Sequence, residues 1–295
     1  MIPLVCLEPM QASVGVRILK RAAAVLAGVA AWGALAAPSF AGCSRPILVP
    51  ASPLGQMMIV HSDTGRVEGV YPELLRDIGK AVGCTFEFRI VEPRVRAEML
   101  VASGEMDVFV GAVRNPERDV WGRFVPLMEV EWKLVSHSPS RPPPATVGEL
   151  LAMNGIVFDA VRGYNYGAAY RDLLNALDER HALDLVADPQ TVVRKMQMGR
   201  ADFSLMPPGT LDGALDAAEA SIEFRKRVRL SHLAGLPHGV TGVYLSGSLK
   251  AEDAALLRQV LTQAARDGAL LTRVHQALPA ADAASYGALP ASSAH

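Results

Sequence analysis

Two arginines four residues apart, Arg114 and Arg118, stand in the loop Val113-Arg114-Asn115-Pro116-Glu117-Arg118-Asp119 that follows the apolar run Val108-Phe109-Val110. A guanidinium is planar and permanently charged, and its fork of N–H groups matches a carboxylate through two parallel hydrogen bonds. The chemistry this pair suits is anion binding; the plain alternative is a solvated loop in which Arg118 pairs with Glu117 or Asp119. Arg94 and Arg96 open a helical pattern, where positive charge opposes the helix dipole and so has no local structural reason. Arg94 therefore joins the candidate ligand-binding residues. Ser52, after the first predicted strand, is another. So are Gly163, Tyr164, Asn165 and Tyr166, which fall between a strand and a helix, where aromatic side chains either wall a pocket or pack into the core.

Catalytic and metal-binding patterns do not occur. The seven histidines are scattered, with no H-E-x-x-H and no paired Cys/His spacing. There is neither a G-x-S-x-G nucleophile turn nor a phosphate-cradling G-x-x-x-x-G-K. The expectation is a binding protein, not an enzyme, with no metal and no cofactor. With 29 basic and 30 acidic residues the formal charge is −1, so nothing in the composition calls for nucleic acid.

At 295 residues and 50% hydrophobic content the chain can bury a substantial core, in one large domain or two smaller ones. Its first 41 residues read as a signal peptide: Arg17, Lys20 and Arg21 precede the apolar run Ala22 to Ala37, and small residues Ser39 and Ala41 offer a cleavage site. A membrane anchor is the alternative, and the run is shorter than the roughly 20 residues a spanning helix needs. Met10 is an alternative to Met1 as the translation start. The expected location is the periplasm. There Cys43 and Cys84 would meet an oxidising environment and form a disulfide; the rival is a lipid on Cys43, since Phe40-Ala41-Gly42-Cys43 loosely matches a bacterial lipobox.

The elements that must position the arginines alternate in type. Strand patterns at 47–50, 57–60, 86–91 and 106–110 alternate with helical patterns at 72–82 and 94–103, which implies α/β layering around a parallel sheet. A strand pattern covers 130–136. The proline-rich stretch His137–Ala145 then separates a second run of units: a capping box from Thr146 to Glu149, a strand at 156–161, a helix at 166–177, a strand at 183–186 and a helix near 190–198. Ala102-Ser103-Gly104-Glu105-Met106-Asp107 and Gln197-Met198-Gly199-Arg200-Ala201-Asp202 share one plan, a helix end, a glycine, a charge and an Asp before an apolar strand. Two α/β lobes account for this echo. Residues 240–245, 250–266 and 270–278 complete the pattern, and 279–295 read as a disordered tail.

In this order the pieces resemble the periplasmic solute-binding proteins of family 3, which serve ABC importers of polar amino acids. The resemblance rests on Gly69-Val70-Tyr71-Pro72-Glu73-Leu74, Ser103-Gly104-Glu105-Met106-Asp107, Asn115-Pro116-Glu117-Arg118, Gly199-Arg200-Ala201-Asp202 and Ala264-Ala265-Arg266-Asp267-Gly268, and spans about residues 45–278. It implies a two-lobed periplasmic-binding-protein-like fold of type II, each lobe a mixed or mostly parallel sheet flanked by helices. Lobe 1 would be 43–135 plus 241–278, and lobe 2 would be 136–240, with two hinge crossovers. It implies a ligand in the cleft, Arg118 on the ligand's carboxylate, backbone N–H groups from the 162–166 loop, a membrane permease as partner, and a monomer. Two departures bear on the ligand. The hydroxyl side chains that precede the family's arginine are absent from Gly111-Ala112-Val113, and the aspartate that holds an α-ammonium is absent near Pro207. A buried ammonium without a counter-charge is costly, so the expected solute is a small anion or carboxylate. The same domain could instead serve a membrane receptor as its sensor, or a dehydratase-type enzyme using Glu73 or Glu92.

Overall fold

The computed structural model describes residues 42–289. The leader expected at 1–41 and the last six residues lie outside this range. Lobe 1 begins with β1 (Ile47–Ala51), a hairpin of β2 (Ile59–His61) and β3 (Arg66–Glu68), α1 (Val70–Val82) and β4 (Phe86–Ile90). It continues through α2 (Arg94–Ala102), β5 (Val108–Val113), α3 (Pro116–Asp119) and β6 (Gly122–Val130). Lobe 2 holds β7 (Lys133–Ser136), α4 (Val147–Ala152), β8 (Phe158–Val161), α5 (Ala168–Glu179), β9 (Leu183–Val186), α6 (Pro189–Gln197), β10 (Phe203–Met206), α7 (Pro208–Ala217), α8 (Ile222–Arg227) and β11 (Arg229–Ser231). The chain then returns to lobe 1 as β12 (Gly239–Ser246), α9 (Ala251–Arg266), α10 (Ala269–Ala277), α11 (Ala280–Ala283) and β13 (Tyr286–Gly287). Among the described residues no helix is long and apolar enough to cross a membrane.

Sequence dictates these elements locally. Helix α1 buries Leu74, Leu75, Ile78 and Val82 on one face and stops at Gly83, which adopts the left-handed conformation and returns its N–H to the Gly79 carbonyl. Thr146 Oγ1 accepts from the Glu149 N–H at 3.1 Å, and the Glu149 carboxylate accepts from the Ala145 N–H at 2.7 Å, so the capping box forms one residue out of its usual reciprocal register. The echoed Asp residues do the same work in the two lobes. Asp107 accepts from the Leu48 N–H in β1 at 2.8 Å, and Asp202 accepts from the Val157 N–H just before β8 at 2.8 Å. Asp202 thereby joins the parallel neighbours β10 and β8, while Asp107 joins β5 to β1 across two separate sheets, and the glycine before each, Gly104 or Gly199, sits at positive φ where the helix must end.

The sheets are mixed. In lobe 2 the order is β11-β7-β10-β8-β9, parallel among β10, β8 and β9 and antiparallel on the β7 side. In lobe 1 β1 and β4 are parallel, but the four-stranded order β13-β6-β12-β5 is antiparallel throughout. Of the two expected forms, mixed or mostly parallel, lobe 1 takes the mixed one, because the returning strand β12 inserts between β5 and β6 and runs against both.

Two boundaries also move. Residues 130–136 are not one strand: β6 ends at Val130 and β7 starts at Lys133 in the other sheet, so Glu131-Trp132 forms the first crossover between the sheets. The second crossover joins β11 to β12, and the two touch: a side-chain carbon on Gly239 would lie 1.6 Å from the Trp132 indole. The supposed tail is ordered through 289. Tyr286 pairs with Val130 as a fourth strand of the lobe 1 sheet and is buried with Ala283 and Leu278. Small residues there reflect close packing, not disorder. At the other end Cys43 and Cys84 form a disulfide with Cα atoms 4.7 Å apart, which leaves Cys43 no thiol for a lipid.

Candidate functional site

Strand β5 aims its last residues by alternation. Val113 faces inward, whereas Arg114 turns to solvent, 69% exposed, and bonds the Asp119 carboxylate at 2.9 Å. Arg114 does not line the cavity that the other candidates share. The next residues turn the chain back: Asn115 Oδ1 caps α3 by accepting the Arg118 N–H at 2.7 Å, with Pro116 in the first turn. That short helix points the Arg118 side chain inward, where it is 4% exposed. Its Nε and Nη2 donate to the two carboxylate oxygens of Glu98 at 2.8 and 2.7 Å, and Nη1 donates to the Val113 carbonyl at 3.0 Å.

Arg94 enters from the first turn of α2. Its Nη2 donates to the carbonyls of Val110 and Gly111 at 2.7 and 3.0 Å, and the guanidinium lies over the Phe109 ring, 4.2 Å from the centroid. Arg118 sits 5.3 Å from the same ring. Arg94 forms no ion pair with any described residue. Burial pulls its pKa down to about 10, against the opposing influence of Tyr164 and with a further downward push from the Arg118 charge.

Lobe 2 supplies the facing wall from the loop between β8 and α5. Gly163 adopts φ +80, and a side chain there would press on Val95 at 3.3 Å. The Tyr164 hydroxyl reaches the Pro53 carbonyl at 3.4 Å, and Asn165 Oδ1 accepts the Gly167 N–H at 2.9 Å. Tyr166 stacks on Trp132, ring centroids 5.0 Å apart, and leans on Tyr170 at 4.7 Å. Its hydroxyl is buried with no hydrogen-bond partner, and burial holds its pKa well above the usual phenol value, so it stays a neutral O–H. At the start of α7, Pro207 and Thr210 face the same space, and Tyr286 reaches across from lobe 1 to accept the Gly209 N–H at 3.1 Å.

These groups enclose a cavity of about 60 Å³ between the lobes. Arg118, Arg94, Gly163, Tyr164, Asn165 and Tyr166 all line it, and none of its lining residues is acidic. Ser52 does not: its hydroxyl donates to the Val91 carbonyl at 2.6 Å, and it borders a neighbouring recess of about 310 Å³ shared by Arg94, Tyr164, Glu92 and Asp188. Sequence reasoning missed Trp132, Tyr71, Tyr286, Met57, Met128 and Thr241 in the lining, and missed Glu98 altogether. One signal for Glu98 was present: it stands four residues after Arg94, hence on the same face of α2.

No family model matches the chain, and no curated protein does. Solved structures do. A histidine kinase sensor domain with similarity to periplasmic binding proteins aligns at TM-score 0.64 with 17% identity, over 80% of this chain and 96% of that one. An amino acid ABC transporter substrate-binding protein from Streptococcus pneumoniae, bound to L-arginine, aligns at TM-score 0.62 with 17% identity, over 79% and 94%. An ancestral arginine-binding protein bound to arginine aligns at TM-score 0.62 with 13% identity, over 80% and 98%. The chain has the two-lobed fold of the amino-acid ABC transporter substrate-binding proteins.

Proposed function

We propose that this is an exported solute-binding protein that takes up a small carboxylate-bearing solute between its lobes and delivers it to an ABC importer of the inner membrane. The observation that carries the reading is the charge of the cavity: two buried guanidiniums border it and no carboxylate does. The matched binding proteins with amino acids in their sites support solute capture by this fold. An amino acid would bring an ammonium group into this cavity with no counter-charge, at a cost of several kcal/mol. An anion meets instead a cavity bordered by guanidiniums, of which Arg94 has no ion-pair partner among the described residues.

A thermal-shift screen of organic acids against the standard amino acids tests this. A ligand at 100 times its Kd stabilises the fold by about 2.7 kcal/mol, which for a chain of this size raises Tm by about 5–10 °C. Organic acids are expected to give that shift and amino acids not; the reverse pattern ends the proposal.

The match to a histidine kinase sensor domain favours a second reading, in which the same anion-loaded form is read by a membrane receptor. Crosslinking the loaded protein in cells separates the two, since a permease and a kinase are distinct captured partners.

A further inference from the structure

We infer that the solute is a monocarboxylic acid with an apolar body, and that Arg94, not Arg118, holds its carboxylate. This rests on the anion-binding reading above and sharpens it in charge, anchor and body. The charge follows from counting what each guanidinium already faces. Arg118 lies in a two-pronged bond with Glu98, both oxygens within 2.8 Å, so that pair carries no net charge. Arg94 bonds the Val110 and Gly111 carbonyls, both through Nη2, its Nε and Nη1 have no acceptor among the described residues, and Glu92 and Asp188 line the neighbouring recess without forming an ion pair with it. The site thus holds one uncompensated positive charge. One carboxylate neutralises it; a second would be buried against no cation.

The body follows from the walls. Tyr71, Met128, Trp132, Tyr164, Tyr166 and Tyr286 face the cavity. Few polar groups there are free: Thr241 Oγ1 is shared between the Tyr71 hydroxyl and the Ala112 carbonyl, both at 3.3 Å, while the Tyr166 hydroxyl has no partner. A strongly hydrated solute would lose water here and gain little in return, whereas an apolar body matches the rings.

Calorimetry on the mature chain at neutral pH, with butanoate and benzoate as probes, tests the inference. One or both are expected to bind one to one, with the corresponding amides and succinate at least 30-fold weaker. Arg94→Gln is expected to weaken the acid at least 100-fold with Tm little changed, and Arg94→Lys to recover part of the loss. Glu98→Gln, which frees the Arg118 charge, is expected to shift preference toward succinate at least 10-fold. If Arg94→Gln fails to fold, the comparison of acid with amide in the unaltered protein still decides, since equal binding removes any role for the carboxylate. Preference for succinate in the unaltered protein, or full binding by folded Arg94→Gln, overturns the inference while leaving anion capture intact. Binding of a standard amino acid with none of the acids overturns both.

Discussion

Arg94 and Arg118 share a ring, Phe109, and a cavity, yet their charges are answered differently, and the difference comes from a residue that no motif marks. Glu98 has 23% of its side chain exposed, enough to keep some hydration, while Arg118 is almost wholly enclosed. Removing the carboxylate leaves a buried cation with one carbonyl for company. Glu98→Ala is therefore expected to lower stability by about 2–4 kcal/mol in urea unfolding; a loss under about 0.5 kcal/mol, the range of an ordinary surface change, would mean the pair contributes nothing. The arginine itself was legible in the sequence, because its loop follows an apolar strand and carries a helix cap. Its partner was not, because Glu98 meets Arg118 only when α2 packs beside β5, twenty positions away in the chain. Arg114 lies outside the cavity for the opposite reason: it follows the half-buried Val113 in β5 and turns outward, and that parity could be assigned only once the strand's end, at Val113 and not Val110, was known.

Among the elements, helices with their own terminators were legible, whereas one long strand without a local mark was not. Helix α1 has its glycine stop, α6 its Asp188 cap and α4 its capping box, and all three lie within two residues of the positions read from sequence. Strand β6 has no such marks. Its nine residues include Arg123, Pro126 and Glu129, and it is a strand because β12 and β13 pair with it on either side. The start of β1 is held differently, by the covalent tie from Cys43 to Cys84 in the turn between α1 and β4. That tie closes a span of 41 residues, so replacing both cysteines with alanine is expected to cost about 3–4 kcal/mol through the unfolded chain's added freedom. Equal unfolding midpoints for the oxidised and the substituted protein would show that the tie constrains nothing.

At the scale of the whole molecule, the lobes meet where glycine faces glycine. Gly55 in lobe 1 lies against α7 of lobe 2, and the Gln56 N–H donates to the Gly209 carbonyl at 2.9 Å. A side-chain carbon on Gly213 would fall 2.3 Å from the Gly55 Cα and 2.7 Å from its carbonyl carbon. These are backbone atoms and cannot swing aside. Within α7 alone, alanine favours the helix by about 0.5–1 kcal/mol over glycine, so Gly213→Ala leaves lobe 2 sound while denying it this contact. The start of the same helix contributes Pro207 and Thr210 to the cavity, so lobes held apart there also hold the cavity open. Gly213→Ala is accordingly expected to enlarge the radius of gyration in X-ray scattering and to weaken anion binding about 10-fold or more. Gly148→Ala is the matched control, since a side-chain carbon at Gly148 in α4 would meet nothing closer than 3.8 Å. If the two variants scatter and bind alike, closure through this glycine contact is not what forms the site.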